Sequence, residues 1–541
     1  MSNTPAFDPA RTILSPAYRE QLLSSLTKGQ DQYDLIVIGA GITGAGVALD
    51  AASRGLKILV VEARDIAFGT SRWSSKLAHG GLRYLATGSA GVARRSAIER
   101  GKLMDTIAPH LVRALPQVVP LTEANKEAVL QRLGFAAGDA LRVAAGTSSS
   151  VLPRSRVISA ERVKELCPTV RKDVKWGFLN YDGQLIDDAR LVTAVIRTAM
   201  GYGADVLLGA RASVAPGRRD GAKVVTLDID DRTIDVPTID VAAAGVVNAT
   251  GVWAGELENK VTIIPSRGTH LVIDAEKVGN PTGALTVAVP GSPTRFCFIL
   301  PAQMGHCYLG ITDDLATIED EPSVPEEDIT FILDVVNGGL ETKLTRDDVI
   351  GAFAGLRPLV KFGDGESSAE EEIKTSDLSR DHLILTTDGV VTVTGGKLTE
   401  YRLMAEQTVD AMLNDESIST NLTSPASECQ TKRIPLVGAS YERSPHEAWA
   451  STGANAEELP ESLVARYGAE ARNVLAASII PNGADRVADL DLTRAEISYA
   501  VTHEGARSVD DILDRRTRVG FVAADRAAAE PVAREVFDAL P

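Results

Sequence analysis

Residues 34–62 constrain the fold more than any other part of the chain, because they contain a strand, a glycine-rich turn, a helix and a second strand in that order. The apolar run Leu35–Ile38 predicts a buried strand, and the run Ile58–Val61 predicts the next one. Between them lie the turn GAGITG and an alanine-rich stretch that predicts a helix. This order predicts one βαβ unit.

The turn of this unit suits a closely bound anion. Gly39 allows the tight turn, Gly41 lets the backbone approach a pyrophosphate, and Gly44 lets the helix pack on the strand. The helix presents unpaired N–H groups and the positive end of its dipole to the anion. Glu62, about 20 residues after the turn, is placed to accept hydrogen bonds from an adenosine ribose. The unit therefore predicts a bound adenine dinucleotide.

Length and charge restrict the class of protein. With 541 residues the chain is too long for one simple core, so two or three domains are expected. The net charge of −17 argues against general attraction to nucleic acid or to an anionic membrane. Basic groups at 94–102, 154–156 and 515–518 are interpreted first as solvated helix faces.

The cysteines and the N-terminus indicate the compartment. Cys167, Cys297, Cys307 and Cys429 are far apart and lack metal-site spacing, so a reduced protein without bound metal is expected. The first residues show no basic and apolar leader, and no run approaches about 18 uninterrupted apolar residues. We therefore expect a cytoplasmic protein that does not span a membrane.

Apolar patterning divides the chain into four parts. Residues 1–30 form an N-terminal extension, and residues 424–541 predict a helical C-terminal domain. Between them we expect a discontinuous nucleotide-binding domain (31–104, 176–262 and 376–415) and a cap domain (105–175 and 263–375). Residues 91–132 show helical spacing, and residues 262–312 predict strands of an antiparallel sheet.

A second glycine-rich turn follows a predicted strand, where Val390–Val393 runs into TGGKLT and then a helix at 400–413. This turn is a second place where backbone N–H groups can face an anion or a flavin edge. NAD needs one such turn, whereas the longer FAD is commonly held at both ends by distant parts of a chain. The two turns together favour FAD.

Nine motifs in order closely resemble those of the FAD-dependent glycerol-3-phosphate dehydrogenases. They are GAGITGAG, TSRWSSKLAHGGLRYL, YDGQLIDDARL, NATGVWA, GITDD, GLRPL, SRDH, TGGKLTEYR and HEGARSVDDILDRRTR. The resemblance implies an α/β FAD-binding Rossmann-like domain of the glutathione-reductase/D-amino-acid-oxidase type. It also implies an antiparallel β-sheet substrate domain and an all-α C-terminal domain.

The resemblance also implies site residues. Cofactor contacts are expected around the first turn, the SSKLAHGG segment and the second turn. These residues are Gly39, Ala40, Gly41, Ile42, Thr43, Gly44, Glu62, Ser74, Ser75, Lys76, Leu77, His79, Gly80, Gly81, Val214, Gly251, Gly396, Lys397 and Leu398. The family's substrate pocket falls on Arg83, Tyr84, His270, Arg357, Arg380 and Lys397.

The residue types of this pocket suit a phosphate ester. A phosphate dianion removed from water needs several cations, and the planar fork of arginine donates two parallel hydrogen bonds to it. Oxidation of a secondary alcohol also requires a proton acceptor, for which we propose His270. Arg357 and Lys397 are expected to stabilise the negative charge that develops on the substrate oxygen. His79 is expected to pack against the flavin ring.

These features predict oxidation of sn-glycerol 3-phosphate to dihydroxyacetone phosphate, with electrons passed to a membrane quinone. An oxidase that uses oxygen, an amine or amino-acid oxidase, and a flavin-binding regulatory protein without catalysis are the alternatives. The resemblance further suggests peripheral attachment to the inner face of the cytoplasmic membrane, for which residues 94–113 and the helix containing RRTR are candidate contacts. The C-terminal domain is a candidate surface for a homodimer.

Overall fold

The structure is a computed structural model that describes residues 5–29, 32–81, 90–123, 126–217, 221–230, 238–292, 295–361, 381–439 and 459–540. In chain order its strands are β1 (Gln32–Ile38), β2 (Ile58–Glu62), β3 (Leu77–Ala78), β4 (Val112–Leu121), β5 (Arg156–Ser159), β6 (Trp176–Leu185), β7 (Asp205–Leu208), β8 (Ala210–Val214), β9 (Lys223–Ile229), β10 (Thr238–Asn248), β11 (Ile263–Asp274), β12 (Ala284–Ala288), β13 (Phe296–Pro301), β14 (His306–Gly310), β15 (Asp314–Leu315), β16 (Gly351–Val360), β17 (His382–Thr387) and β18 (Val390–Gly395). The α-helices are α1 (Pro16–Thr27), α2 (Ile42–Ser53), α3 (Ala90–Lys102), α4 (Lys126–Ala144), α5 (Ala160–Leu166), α6 (Asp188–Gly201), α7 (Ala254–Leu257), α8 (Glu326–Asn337), α9 (Tyr401–Asn414), α10 (Glu416–Ser419), α11 (Glu461–Tyr467), α12 (Ala471–Ala476), α13 (Arg494–Thr502), α14 (Val509–Asp511) and α15 (Ala523–Asp538).

The first sheet is built around the predicted βαβ unit. Its parallel strands lie in the order β18, β10, β1, β2 and β7, and β17 pairs antiparallel with β18. Because both faces are covered, β1 and β2 are almost continuously apolar. Helices α2, α6 and α9 pack on one face through side chains such as Ala48, Val195 and Val409. Helix α1 and the β8–β9 hairpin cover the other face.

The second sheet has ten strands and forms the cap. Its main order is β15, β11, β14, β13, β12, β4, β6 and β3, with β16 paired to β11 and β5 paired to β6. All of these neighbours are antiparallel except β4 and β12. Helix α8 packs its Ile332 and Val336 against Leu271 and Ile299 of the sheet. The predicted architecture of a Rossmann-like domain, a largely antiparallel cap sheet and a helical C-terminal domain is confirmed.

The helix predicted over residues 91–132 is wrong over residues 112–121, whereas residues 91–102 and 126–132 are helical. Residues 112–121 form β4, which is hydrogen-bonded to β6 on one side and β12 on the other. The buried side chains of β4 include Val112, Leu115 and Val118, which recur every third residue and so imitate helical spacing. Strands β3 and β6 also differ from the predicted boundaries, because they pair in the cap sheet and not in the nucleotide-binding sheet.

The interpretation of residues 515–518 as a solvated helix face is wrong. Arg515, Arg516 and Arg518 are all at most 5% exposed. Arg515 Nε lies 2.6 Å from Asp65 Oδ2, and Arg516 Nη2 lies 2.7 Å from Asp65 Oδ1. Burial alone would raise the pKa of Asp65, but the two guanidinium groups hold it below its usual value. The segment therefore joins the C-terminal domain to the nucleotide-binding domain and does not face a membrane.

Residues 94–113, the other predicted membrane contact, also lie mostly inside the fold. Leu103, Met104, Ile107 and Leu111 are buried in the main core. Within the described ranges, no helix combines the length and apolar content that a membrane span requires.

We predict that Asp65→Asn destabilises the protein by about 3 kcal/mol, because it leaves two buried guanidinium groups without their shared carboxylate. A lower midpoint of thermal unfolding at neutral pH would show this. The native pKa of Asp65 lies below the unfolded one, so its contribution is present at neutral pH and is lost as the pH falls through the native pKa. The difference in thermal midpoint between the parent and the variant should therefore become smaller in acid. Asp173→Asn, which removes an exposed ion pair with Arg171, is the control and should leave the midpoint unchanged.

Candidate active site

A cavity of about 620 Å³ lies between the two sheets. One side is formed by residues that follow the carboxyl ends of β1, β2, β10 and β18, which meet at one edge of the parallel sheet. The opposite side is formed by residues of the cap sheet, including Phe298, Gly355 and Arg357. This is the crevice in which open α/β sheets bind their ligands.

The first glycine-rich turn forms one wall of the cavity. Gly39 has φ +106°, and a Cβ there would lie 2.7 Å from the carbonyl oxygen of Ala249. A Cβ on Gly44 would lie 1.9 Å from the carbonyl oxygen of Gly39, so α2 and β1 can pack this closely only without side chains. Gly41, Ile42 and Thr43 line the cavity at the N-terminal end of α2. Ala40 and Gly44 lie behind this wall.

Glu62 ends β2 and faces the same cavity. Its Oε2 accepts a hydrogen bond from Ala40 N at 2.8 Å, and its Oε1 accepts one from Arg64 N at 2.8 Å. Burial raises the pKa of the Glu62 carboxyl, although both backbone bonds oppose that shift. The carboxylate therefore fixes the turn while one side of it lines the cavity.

The Ser74–Lys76 loop forms the floor of the cavity. Ser74 N and Ser74 Oγ both donate to Asp188 Oδ2, at 2.9 and 2.7 Å. Lys76 has φ +57°, and its buried ammonium donates to Asp188 Oδ2 at 3.0 Å. Ser74, Ser75 and Leu77 line the cavity, whereas Lys76 lies behind it.

His270 lies directly behind Ser75. Its Nε2 is 2.9 Å from Ser75 Oγ, and its ring stacks on Phe353 with a centroid distance of 4.8 Å. The side chain is fully buried, so it reaches the cavity only through the serine hydroxyl. Burial, together with the nearby cations of Lys76 and Arg357, holds the pKa of His270 well below its usual value. His270 is therefore neutral near pH 7.

Arg357 reaches the cavity from β16. Its Nη1 donates to Ser266 Oγ at 3.0 Å and to Asp313 Oδ1 at 3.1 Å, and its Nη2 donates to the carbonyl oxygen of Thr312 at 3.0 Å. Gly268 on the neighbouring strand leaves room for the guanidinium, because a Cβ there would lie 2.4 Å from Nη2. These contacts hold a cation in the cavity wall in one orientation.

The second glycine-rich turn places Lys397 in the cavity. Gly396, Lys397 and Leu398 all line it, as does Gly251. Lys397 Nζ donates to Ser96 Oγ at 2.9 Å and to Glu400 Oε1 at 3.0 Å. The ammonium is therefore held between Ser96, which lies on α3, and Glu400, which directly precedes α9.

The HGG segment approaches from the end of β3. His79 lines the cavity, and burial lowers the pKa of its imidazole. Gly80 N donates to Asp182 Oδ1 at 3.0 Å, and Arg100 Nη1 pairs with the same oxygen at 2.6 Å. Gly81 adopts φ +72° and lies outside the cavity wall, as does Gly80.

Several residues that the sequence predicts for the site are not among the described residues of the cavity wall. Val214 does not line the cavity, and Ala210, Arg211 and Ala212 of the same strand do. Arg83, Tyr84 and Arg380 lie outside the described residues. The sequence also gives no role to the groups that orient the cations, namely Ser96, Ser266, Asp313 and Glu400. Asp313 lies in the quoted motif GITDD, and Glu400 lies in TGGKLTEYR, so both motifs carried a usable signal.

The cavity fits FAD by its shape and by its backbone. Its volume is within the range of cofactor sites, about 300–1,000 Å³. Both glycine-rich turns open into it, and a side chain at Gly39 or Gly44 of the first turn would clash with the backbone. One cavity therefore joins the two turns that the sequence placed more than 300 residues apart.

Comparison with known proteins shows the family of the chain. Residues 34–402 match the family model described as FAD dependent oxidoreductase, and residues 429–540 match the C-terminal domain of alpha-glycerophosphate oxidase. Glycerol-3-phosphate dehydrogenase 1 of Mycobacterium tuberculosis is 51% identical, over 97% of this chain and 99% of that protein. The mitochondrial glycerol-3-phosphate dehydrogenase of Arabidopsis thaliana is 32% identical, over 96% of this chain and 84% of that protein.

A solved structure gives the same result. The glycerol-3-phosphate dehydrogenase from Bacillus halodurans complexed with FAD aligns with a TM-score of 0.69 and 26% identity, covering 97% of this chain and 96% of that one. The family model spans both glycine-rich turns, and the relatives span the helical C-terminal domain as well. The chain therefore belongs to the FAD-dependent glycerol-3-phosphate dehydrogenases.

Proposed function

We propose that the protein oxidises sn-glycerol 3-phosphate to dihydroxyacetone phosphate and passes the electrons from FAD to a membrane quinone. The observation that carries the reaction is that Arg357, Lys397 and the Ser75–His270 pair all face one cavity that also holds both glycine-rich turns. The cavity thus combines cations for a phosphate ester, a serine hydroxyl backed by a neutral imidazole, and a flavin site.

The substrate's phosphate is bound by cations that are already oriented. Arg357 is partly exposed to the cavity, and its hydrogen bonds to Ser266 and Asp313 hold the guanidinium in one orientation. Lys397 is mostly buried, so its charge acts across a medium of lower polarity than water. Arg83, Tyr84 and Arg380, which the family resemblance implies, complete the proposed pocket.

The proton of the secondary hydroxyl passes to His270 through Ser75. His270 is neutral and its Nε2 already shares a hydrogen bond with Ser75 Oγ, so a substrate hydroxyl hydrogen-bonded to Ser75 is one step from the imidazole. When bound, FAD accepts the hydride from the carbon that carries this hydroxyl. Gly39, Gly41, Thr43, Gly251 and Gly396 are among the residues that would hold it.

We predict that His270→Ala lowers kcat by at least about 100-fold while changing KM much less, because the proton acceptor is lost and the phosphate-binding cations remain. Steady-state kinetics with glycerol 3-phosphate and an artificial electron acceptor would measure the split. His306→Asn is the control, since His306 of the cap strand β14 contacts Asp525 of the C-terminal helix α15 and does not line the cavity. An unchanged kcat in His270→Ala would remove the base role.

Anaerobic addition of glycerol 3-phosphate tests the activity itself. We expect rapid loss of the oxidised flavin absorbance, because the two-electron oxidation of the substrate reduces the flavin. No loss with this substrate would contradict the proposed activity, and no loss with any candidate substrate would favour the regulatory flavoprotein. The acceptor is then tested in air, where reduction of a quinone analogue without hydrogen peroxide supports the dehydrogenase. Stoichiometric peroxide would instead support the oxidase.

Membrane attachment, needed to reach a quinone, is assigned in this proposal to α4. Its Val129, Leu130, Leu133 and Val143 are each more than 60% exposed. On a helical wheel they share one face with Ala136, Ala137, Ala140 and Ala144, which are also exposed. Phe135 on the opposite face packs edge-on against Phe178 and holds the helix to the cap sheet.

The surroundings of this face suit an anionic bilayer. Lys126 begins the helix, and Arg154 and Arg156 are exposed near Val157, itself 55% exposed. Apolar side chains bordered by lysine and arginine are the pattern of a helix that lies in a membrane interface. The attachment places the protein on the cytoplasmic face of the membrane, which carries anionic lipid.

We predict that Leu130→Glu combined with Leu133→Glu abolishes co-flotation with anionic liposomes, because two charges would enter the apolar layer. The rate of anaerobic flavin bleaching by glycerol 3-phosphate should stay unchanged, since α4 does not line the cavity. Ile479→Glu, a charge introduced at an apolar surface position of the C-terminal domain, is the control. Equal flotation of the parent and the double variant would contradict this assignment.

A further inference from the structure

Asp188 lies behind the cavity floor and anchors the Ser74–Lys76 loop. It begins α6 and is fully buried. Its Oδ2 accepts hydrogen bonds from Ser74 N, Ser74 Oγ and Lys76 Nζ, at 2.9, 2.7 and 3.0 Å. Ser75 therefore stands between two residues that are tied to the same carboxylate oxygen. The direction in which Ser75 Oγ meets His270 depends on this tie.

A residue of the C-terminal domain completes the charge balance around Asp188. Arg518 Nε lies 3.0 Å from Asp187 Oδ2, and Arg518 Nη2 lies 3.7 Å from Asp188 Oδ1. Arg518 Nη2 also donates to the carbonyl oxygen of Arg72, two residues before Ser74. Without Arg518, two adjacent buried carboxylates would share the single ammonium of Lys76.

A second path from the C-terminal domain reaches the same contact through aromatic rings. The Arg518 guanidinium lies 4.1 Å from the ring centroid of Phe521. Phe521 stacks on Phe353 at 4.4 Å and 11°, and Phe353 stacks on His270 at 4.8 Å and 15°. Ser75 and His270 are thus each linked to Arg518, Ser75 through the Ser74–Lys76 loop and His270 through the aromatic rings.

We propose that Arg518 is a positioning residue, through which the C-terminal domain fixes the Ser74–Lys76 loop and hence the Ser75–His270 contact at the flavin site. The inference rests on the proposed function only for the role of that contact in proton transfer. It gives a task to two motifs, YDGQLIDDARL and HEGARSVDDILDRRTR, whose residues meet here although they are more than 300 positions apart in sequence. In this proposal the helical C-terminal domain helps to set the geometry of the active site.

The test compares full-length, FAD-loaded variants of this network with a matched control. Arg518→Gln and Asp188→Asn each break the network while keeping a polar side chain. Arg197→Gln is the control, because Arg197 is equally buried and pairs with Glu470 of the C-terminal domain without contacting the Ser74–Lys76 loop. The readouts are the visible absorption spectrum of the oxidised flavin, the thermal midpoint, and the rate of anaerobic flavin bleaching at increasing glycerol 3-phosphate.

Arg518→Gln and Asp188→Asn should each shift the flavin absorption bands and lower the limiting bleaching rate by about tenfold or more, since small misplacement of catalytic groups is costly. The half-saturating substrate concentration should change by less than about threefold, because the phosphate-binding cations are untouched. The double variant should be no slower than the slower single one, since both act on one network. Arg197→Gln should lower the thermal midpoint but leave the spectrum and the limiting rate unchanged.

A spectrum and limiting rate in Arg518→Gln that match those of Arg197→Gln would overturn the inference and leave Arg518 as a structural ion pair. If Arg518→Gln fails to retain FAD, Arg518→Lys keeps the charge but not the fork that reaches both Asp187 and Arg72, and the same comparison applies. Failure of the proposed function is separate, because the parent protein would then show no bleaching at all. The spectral shift would still decide the role of Arg518.

Discussion

The close contact of α2 with β1 is the constraint on which the site depends. Gly39, Gly44 and Ala249 meet where β1, β10 and the start of α2 converge, and the carbonyl oxygen of Gly39 occupies the place of a Gly44 side chain. This contact brings the N-terminal end of α2 to the edge of the parallel sheet, where Gly41, Ile42 and Thr43 line the cavity. The cap sheet covers that edge and closes the cavity from the other side.

Buried arginines join the nucleotide-binding domain to the C-terminal domain despite the overall acidity of the chain. Arg190 pairs with Glu504 at 2.7 Å, Arg197 with Glu470 at 2.8 Å, and Arg516 with Asp65 at 2.7 Å, all between the nucleotide-binding and C-terminal domains. A buried ion pair adds little net stability, but losing one partner is costly because the other charge stays buried. Such pairs therefore fix how the domains meet more than they stabilise the fold.

The βαβ unit followed from local sequence because it depends on neighbouring residues, whereas FAD was predicted from two distant turns and a family resemblance. The strand Leu35–Ile38, the GAGITG turn and Glu62 appear in the structure as the sequence predicts. Strand β4 was not predicted, because its buried side chains recur every third residue, as they would in a helix. Arg515–Arg518 also could not be placed, since a basic run is usually solvated and its partners, Asp65 and Asp187, are hundreds of residues away. Long-range pairing of charges leaves no local periodicity.

In the proposed mechanism the basicity of His270 depends on the bound substrate. The cations of Lys76 and Arg357, together with burial, disfavour a proton on His270 in the free protein. A phosphate dianion at Arg357 offsets one of these cations, so the imidazole gains proton affinity when the hydroxyl to be oxidised is in place. Asp188 contributes in the same sense, because it partly neutralises Lys76. The charges that hold the substrate and the loop thus also set when His270 accepts a proton.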